Sequence, residues 1–255
     1  MQLIQSSITT SSIASRPATA CAAVISGPRE ISVETFPVKQ PGPYEVLVRL
    51  EGCGVCASNI PVWQGRPWFD YPLEPGAPGH EGWGEVEATG RNVSNVVVGD
   101  RVAFLSNHAF AKYDVTASDQ LVKLPASFAK QVFPGEPLAC AMNIFRRSEI
   151  TAGQTVAIVG IGFLGALLTQ LAANSGAHVI AVSRREFALD IARRFGATVT
   201  VTSADPDEVK QEVLDVTSNE GCDCVIEAVG HQSSLDLATE LTHERGKLVI
   251  AGYHQ

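Results

Sequence analysis

"VAIVGIGFLGALL", residues 156–168, decides the fold: an apolar run closes on Gly160, Gly162 and Gly165 in the spacing G-x-G-x-x-G and passes directly into a run of helix formers. The spacing alone is a weak signal. Between a buried strand and a helix it predicts a turn that holds a dinucleotide pyrophosphate: Gly160 for the tight turn, Gly162 for close approach of backbone to phosphate, Gly165 for helix-on-strand packing. Phe163 and Leu164 open the helix, whose first N–H groups and positive dipole end would face the phosphates.

The same rhythm continues downstream. "HVIAVSRR", "EFALDIARRFGA", "DEVKQEVLDVTS", "CDCVIEAVG", "SLDLATELTHE" and "KLVIAGYHQ" alternate near-continuous apolar strands with amphipathic helices, as a parallel sheet covered on both faces requires. At the end of the second strand, where an NAD site places an acid against the ribose hydroxyls, stand Ser183, Arg184 and Arg185. A hydroxyl and guanidinium groups suit a 2′-phosphate, so NADP(H) is expected over NAD(H).

Upstream, from Ala22 to about Lys123, the chain reads as short alternating runs such as "YEVLVRLEG", "EGWGEVEATG", "GDRVAFL" and "DQLVKLP", broken by Gly and Pro. That is a β-rich domain. The expected division is a disordered tail over 1–21, a β-rich domain over 22–150 and an α/β domain over 151–255. The tail is rich in Ser and Thr and lacks the basic start and apolar stretch of a secretory signal, which makes the cytoplasm the expected location.

With 255 residues there is room for two cores, and 18% charged residues without an 18-residue apolar run indicate a soluble chain with no membrane partner. A net charge of -8 with no Lys/Arg stripe argues against nucleic acid. Six cysteines in such a chain suggest thiols and metal ligands before disulfides.

Cys53 and Cys56, in "GCGVCASN" (52–59), have a spacing used by metal sites and redox enzymes alike. No second C-x-x-C accompanies them, and "CDC" at Cys222 and Cys224 falls in an expected buried strand. A redox pair would start a helix of a small α/β fold, whereas these follow a strand in the β-rich half. Cys56 is therefore read as functional and Cys53 as packing behind it. With "PGHEGWGEV" (78–86) and "GEPLACAMN" (135–143), the candidate metal ligands are Cys56, His80, Glu81, Glu136 and Cys140, a mixed N/O/S set that suits zinc. Glu136 and Cys140, four helical residues apart, share a face.

Taken in order, "GCGVCASN", "GHEGWGEV", "VGDRVA", "EPLACA" and "VGIGFLG" resemble the zinc-dependent medium-chain dehydrogenases/reductases, which include alcohol, sorbitol and threonine dehydrogenases, from about residue 22 to the C-terminus. The resemblance implies a GroES-like β-rich catalytic domain and a Rossmann doubly wound parallel-sheet domain. It implies hydride transfer between NADP(H) and an alcohol, aldehyde or ketone. It further implies that Cys56 and His80 bind one catalytic zinc, with Glu81 beside it as an exchangeable ligand. Glu136 would approach the metal, directly or through water, ahead of Cys140. Ser58 would relay the substrate proton, unless it simply caps a helix.

Some positions depart from that pattern. Pro61 stands where the relay often continues to a histidine, and Asn59 where many members carry an Asp bonded to the metal-bound histidine. No cysteine lies between 101 and 130, so the family's structural zinc is not expected. Trp63, Trp68 and Phe69 suit either the wall of an apolar pocket or the packing of a surface loop. The family's members are homo-oligomers that continue past a fifth strand to a sixth, so this chain is expected to be C-terminally truncated, with an incomplete nucleotide sheet and a bare apolar edge. Two other functions fit the sequence: a zinc-free NADPH-dependent reductase acting on activated double bonds, and a non-catalytic nucleotide-binding module.

Overall fold

Alternation of inward apolar and outward polar residues builds the N-terminal half. The computed structural model describes residues 17–128, 131–202 and 204–254. Strands β1 (Thr19–Gly27) and β2 (Glu30–Pro37) pair as an antiparallel hairpin. β3 (Glu45–Gly54), β4 (Glu81–Thr89), β5 (Arg101–Leu105), β6 (Tyr113–Ala117) and β7 (Leu121–Lys123) form a second antiparallel sheet in the order β6-β3-β4-β5-β7. Val46, Val48 and Leu50 of β3 meet Val86, Val102, Phe104 and Leu121 in one core. Arg49, between them in sequence, points the other way and holds Glu85 at 2.9 Å. A short helix, α1 (Asn59–Gln64), follows β3 and stops at Gly65, whose φ of 79° only glycine adopts freely.

The last residues of the expected tail are strand. Thr19, Ala20 and Cys21 belong to β1, paired with Pro37, Phe36 and Thr35. Their small and polar side chains hid a strand whose buried residues include Ala22, Val24 and Ile25. Residues 1–16 of the expected tail lie outside the described residues.

Near-continuous apolar strands build the second half. β8 (Thr155–Val159), α3 (Phe163–Asn174), β9 (His178–Val182), α4 (Glu186–Arg194), β10 (Val199–Val201), α5 (Pro206–Val216), β11 (Cys222–Glu227), α6 (Gln232–Leu241) and β12 (Thr242–Ile250) give a parallel sheet ordered β10-β9-β8-β11-β12. Successive residues of a strand face opposite ways, so both faces need cover. Val156 and Ile158 join Leu168 of α3 and Leu189 of α4 on one face. Ala157 and Val159 join Val213 of α5 and Leu241 of α6 on the other. Each large side chain buried in this way contributes roughly 1.5–3 kcal/mol. Cys222 and Cys224 are part of this interior; burial pushes their thiols up to about 12 and about 11.

Helix α2 (Gly135–Ser148) runs between the two halves. Its start lies so close to β5 that a Cβ on Gly135 would stand 2.5 Å from that of Ala103. Further along, Ile144 and Phe145 pack against the core on the α3 side of the parallel sheet. Among the described residues, no helix is long and apolar enough to cross a membrane.

Candidate active site

The antiparallel pairing of β3 with β4 sets Gly54 opposite Glu81. Cys56 follows in the turn after β3, and His80 immediately precedes β4. Three residues distant in sequence thereby bring one possible ligand atom each to within 4.8 Å of one another: Cys56, His80 and Glu81. The closeness depends on a missing side chain. A Cβ on Gly54 would fall 1.8 Å from Glu81 Oε2.

Asn59, buried in the first turn of α1, fixes the surrounding backbone. Its Oδ1 accepts from the Cys56 N–H at 3.0 Å, and its Nδ2 donates to the Pro78 carbonyl at 3.1 Å. The same carbonyl takes His80 Nδ1 at 2.9 Å. A carbonyl only accepts, so Nδ1 carries the proton and, in the neutral ring, Nε2 keeps a free lone pair. That is the tautomer a metal ligand needs. The family's Asp-to-His bond is thus replaced by a shared carbonyl.

Burial pushes the Glu81 carboxyl above its ordinary range, and the Glu136 carboxylate adds to that, against the opposite pull of His80 and a hydrogen bond to Cys56. Glu136 sits in the first turn of α2, and Cys140, one turn on, donates its S–H to Glu136 Oε1 at 2.9 Å. Desolvation, then the hydrogen bond to Glu136, pushes the Cys140 thiol up to about 12. Glu136 and Cys140 therefore flank the trio electrostatically but stand outside its 4.8 Å grouping. Cys53 is half-buried against the β-sheet core, its thiol raised to about 11 by burial. The donor set of thiol, imidazole and carboxylate fits zinc.

Ser58 occupies the N-cap of α1, yet its side chain makes no capping bond, which leaves the half-buried hydroxyl available. Trp63 and Trp68 are both exposed. The Arg29 guanidinium lies 5.4 Å over the Trp63 ring, and Trp68 touches Phe69 at 6.0 Å between centroids, as in a packed surface loop.

The glycine turn opens on a pocket of about 620 Å³ at the carboxyl ends of β8, β9 and β11. Gly160 has φ 98°, and a Cβ there would meet Val229 Cγ2 at 2.4 Å. A Cβ on Gly165 would lie 2.0 Å from the Gly160 carbonyl oxygen, so helix and strand touch through it. Gly162, the N-cap of α3, faces open space. Phe163 and Leu164 offer backbone alone: the Phe163 ring is exposed and Leu164 packs against the core. Ser183, Arg184 and Arg185 line the far side. Ser183 Oγ accepts from the Arg185 N–H at 3.2 Å, and Arg185 Nη2 donates to the Ile161 carbonyl at 3.2 Å. Arg184 is exposed and makes no hydrogen bond or ion pair among the described residues. Sequence reasoning missed the opposite wall, Ala228, Val229, His231, Ser233 and Ser234. Their position beyond β11, beside the point where strand order reverses, is the signal that would have found them.

A β-rich domain with a thiol–imidazole–carboxylate group, joined to a five-stranded dinucleotide-type sheet, defines a two-domain oxidoreductase. Residues 42–126 match the alcohol dehydrogenase GroES-like domain family and residues 164–255 the zinc-binding dehydrogenase family. The chain belongs to the zinc-type medium-chain dehydrogenases/reductases and is an alcohol-dehydrogenase-like oxidoreductase. Sorbitol dehydrogenase of Bacillus subtilis (strain 168) is 29% identical over 263 residues, covering 91% of this chain and 74% of its own length. The structure of 2R,3R-butanediol dehydrogenase from Bacillus subtilis superposes with a TM-score of 0.80 at 26% identity, covering 92% of this chain and 78% of the other. A Sinorhizobium meliloti 1021 structure described as a zinc-binding dehydrogenase bound to NADP gives 0.81 at 27%, covering 93% and 78%.

Proposed function

We propose that the protein is a zinc-dependent dehydrogenase that passes hydride between NADP(H) and a small alcohol or polyol and its carbonyl partner. The observation that carries this reading is the convergence of Cys56, His80 and Glu81 within 4.8 Å. Zinc held there supplies Lewis-acid polarisation of the substrate oxygen. Glu136, on α2 outside that grouping, would approach the metal directly or through water, with Cys140 holding its carboxylate by the S–H bond. Ser58 Oγ takes the substrate hydroxyl proton; with Pro61 in place of a relay histidine, the proton leaves to solvent past the half-buried serine. Gly160, Gly162 and the first N–H groups of α3 hold the pyrophosphate, while Ser183, Arg184 and Arg185 bind the 2′-phosphate. The sorbitol and butanediol dehydrogenase relatives support a hydroxylated carbon chain as substrate.

The test is metal analysis of the purified chain, followed by polyol oxidation assayed before and after chelation, with NADP⁺ and NAD⁺ in parallel. Near one zinc per chain, loss of turnover on chelation, recovery with Zn²⁺ and preference for NADP⁺ are expected. Chelator-insensitive turnover would overturn the zinc assignment.

A further inference from the structure

Away from the ligand group, β11 ends in a second buried acid. Glu227 is 0% exposed. Its Oε1 accepts from the N–H groups of Val229 at 2.7 Å and Gly230 at 2.8 Å, and its Oε2 from His254 Nε2 at 2.8 Å. Its main-chain carbonyl takes the N–H groups of Ala251 at 2.8 Å and Gly252 at 2.9 Å. One residue thereby gathers the loop after β11 and the segment after β12. Gly252 makes this approach possible: a Cβ there would stand 2.2 Å from the Gly230 nitrogen and 2.6 Å from Glu227 Oε2.

The gathered loop is a wall of the dinucleotide pocket. Ala228, Val229 and His231 line it, and Val229 presses on Gly160, the first glycine of the turn, from the opposite side. A carboxylate removed from water is tolerated while all its partners are in place, and each bond to it is stronger than one between neutral groups. The wall's position is therefore tied to the completeness of the bonds around Glu227.

We propose that Glu227 is a positioning residue for the dinucleotide, latched by His254, and that this latch sets the spacing between the glycine turn and the 228–231 wall. The proposal rests on the dinucleotide reading above. Because the His254 side chain is partly exposed and outside the hydrophobic core, its removal tests the latch without opening the core.

The experiment is a fluorescence titration of the full chain with NADPH, alongside hydrogen–deuterium exchange over 228–231 and a thermal melt. His254→Ala is expected to raise the NADPH Kd about tenfold, as loss of one charge-assisted bond predicts, and to speed exchange at Val229 and Gly230 while the melt stays close to wild type. His254→Gln, whose amide can donate to Oε2, should recover most of the affinity. Unchanged affinity and exchange in His254→Ala, with wild type binding normally, would overturn the latch alone. Equal losses in both variants, accompanied by a lowered melt, would assign His254 to stability and also overturn it. If wild type binds neither NADPH nor NADH, the dinucleotide reading fails first and the latch with it.

Discussion

Asn59 ties the Cys56 backbone and the Pro78 carbonyl together, and the Pro78 carbonyl in turn orients His80. Asn59→Ala leaves the half-buried Cys56 N–H without its acceptor, at about 1 kcal/mol in urea unfolding. It should also weaken zinc retention about 10- to 100-fold, the usual effect of losing an outer partner of a ligand, read by competition with a chromophoric chelator. Gly54→Ala should disturb the metal group from the other side by forcing Glu81 to move, with a comparable loss in the same assay. At the nucleotide end, Ser183→Asp places a carboxylate beside Arg184. NADPH affinity should fall at least tenfold while NADH binding is kept or improved, measured by paired titrations. The sequence motifs made Cys56, His80 and Glu81 legible because each lies in a distinctive run. The Asn59 role was not legible, because the carbonyl it shares with His80 becomes its neighbour only when the turn before β4 folds against α1. The S–H bond of Cys140 to Glu136 follows the helical spacing, but which of the two faces the metal group depends on the tilt of α2, which spacing does not encode.

Among the elements, α3 is the most exposed to a single change. Gly165→Val would put a branched side chain where even a Cβ stands 2.0 Å from the Gly160 oxygen, prying helix from strand and distorting the turn between them. Loss of NADPH binding beyond measurement is expected, along with a lower melting temperature. Long strands and amphipathic helices were legible because their periodicity persists over many residues. β10 has three residues and β1 opens with small or polar ones, so neither carries enough pattern to stand out. The glycine motif announced its own turn, yet the facing wall at 228–231 has no motif. Its place is fixed by bonds to Glu227, whose partners come from two different loops.

For the whole molecule, the pH response includes a buried acid in the β-rich half. Burial holds the Asp114 carboxyl above its usual range, partly opposed by the Ser106 hydroxyl that donates to it. The folded chain therefore binds this proton more tightly than the unfolded chain, whose Asp titrates near ~3.9. Stability from this group rises as pH falls through the folded pKa and levels off below the unfolded one. Asp114→Asn, neutral throughout, should gain more over wild type at pH 7 than at pH 4 in parallel urea titrations; an equal or reversed difference would exclude a raised Asp114.

Helix α2 has 14 residues, about 21 Å of stiff rod. One end sits against β5 and carries Glu136 beside Glu81, and the other packs Ile144 and Phe145 against the core of the dinucleotide domain. A rod gripped at both ends is a strut rather than a hinge: it fixes the span between the edge at β5 and the α3 side of the parallel sheet, so shortening or kinking it should shift Glu136 and the sheet together.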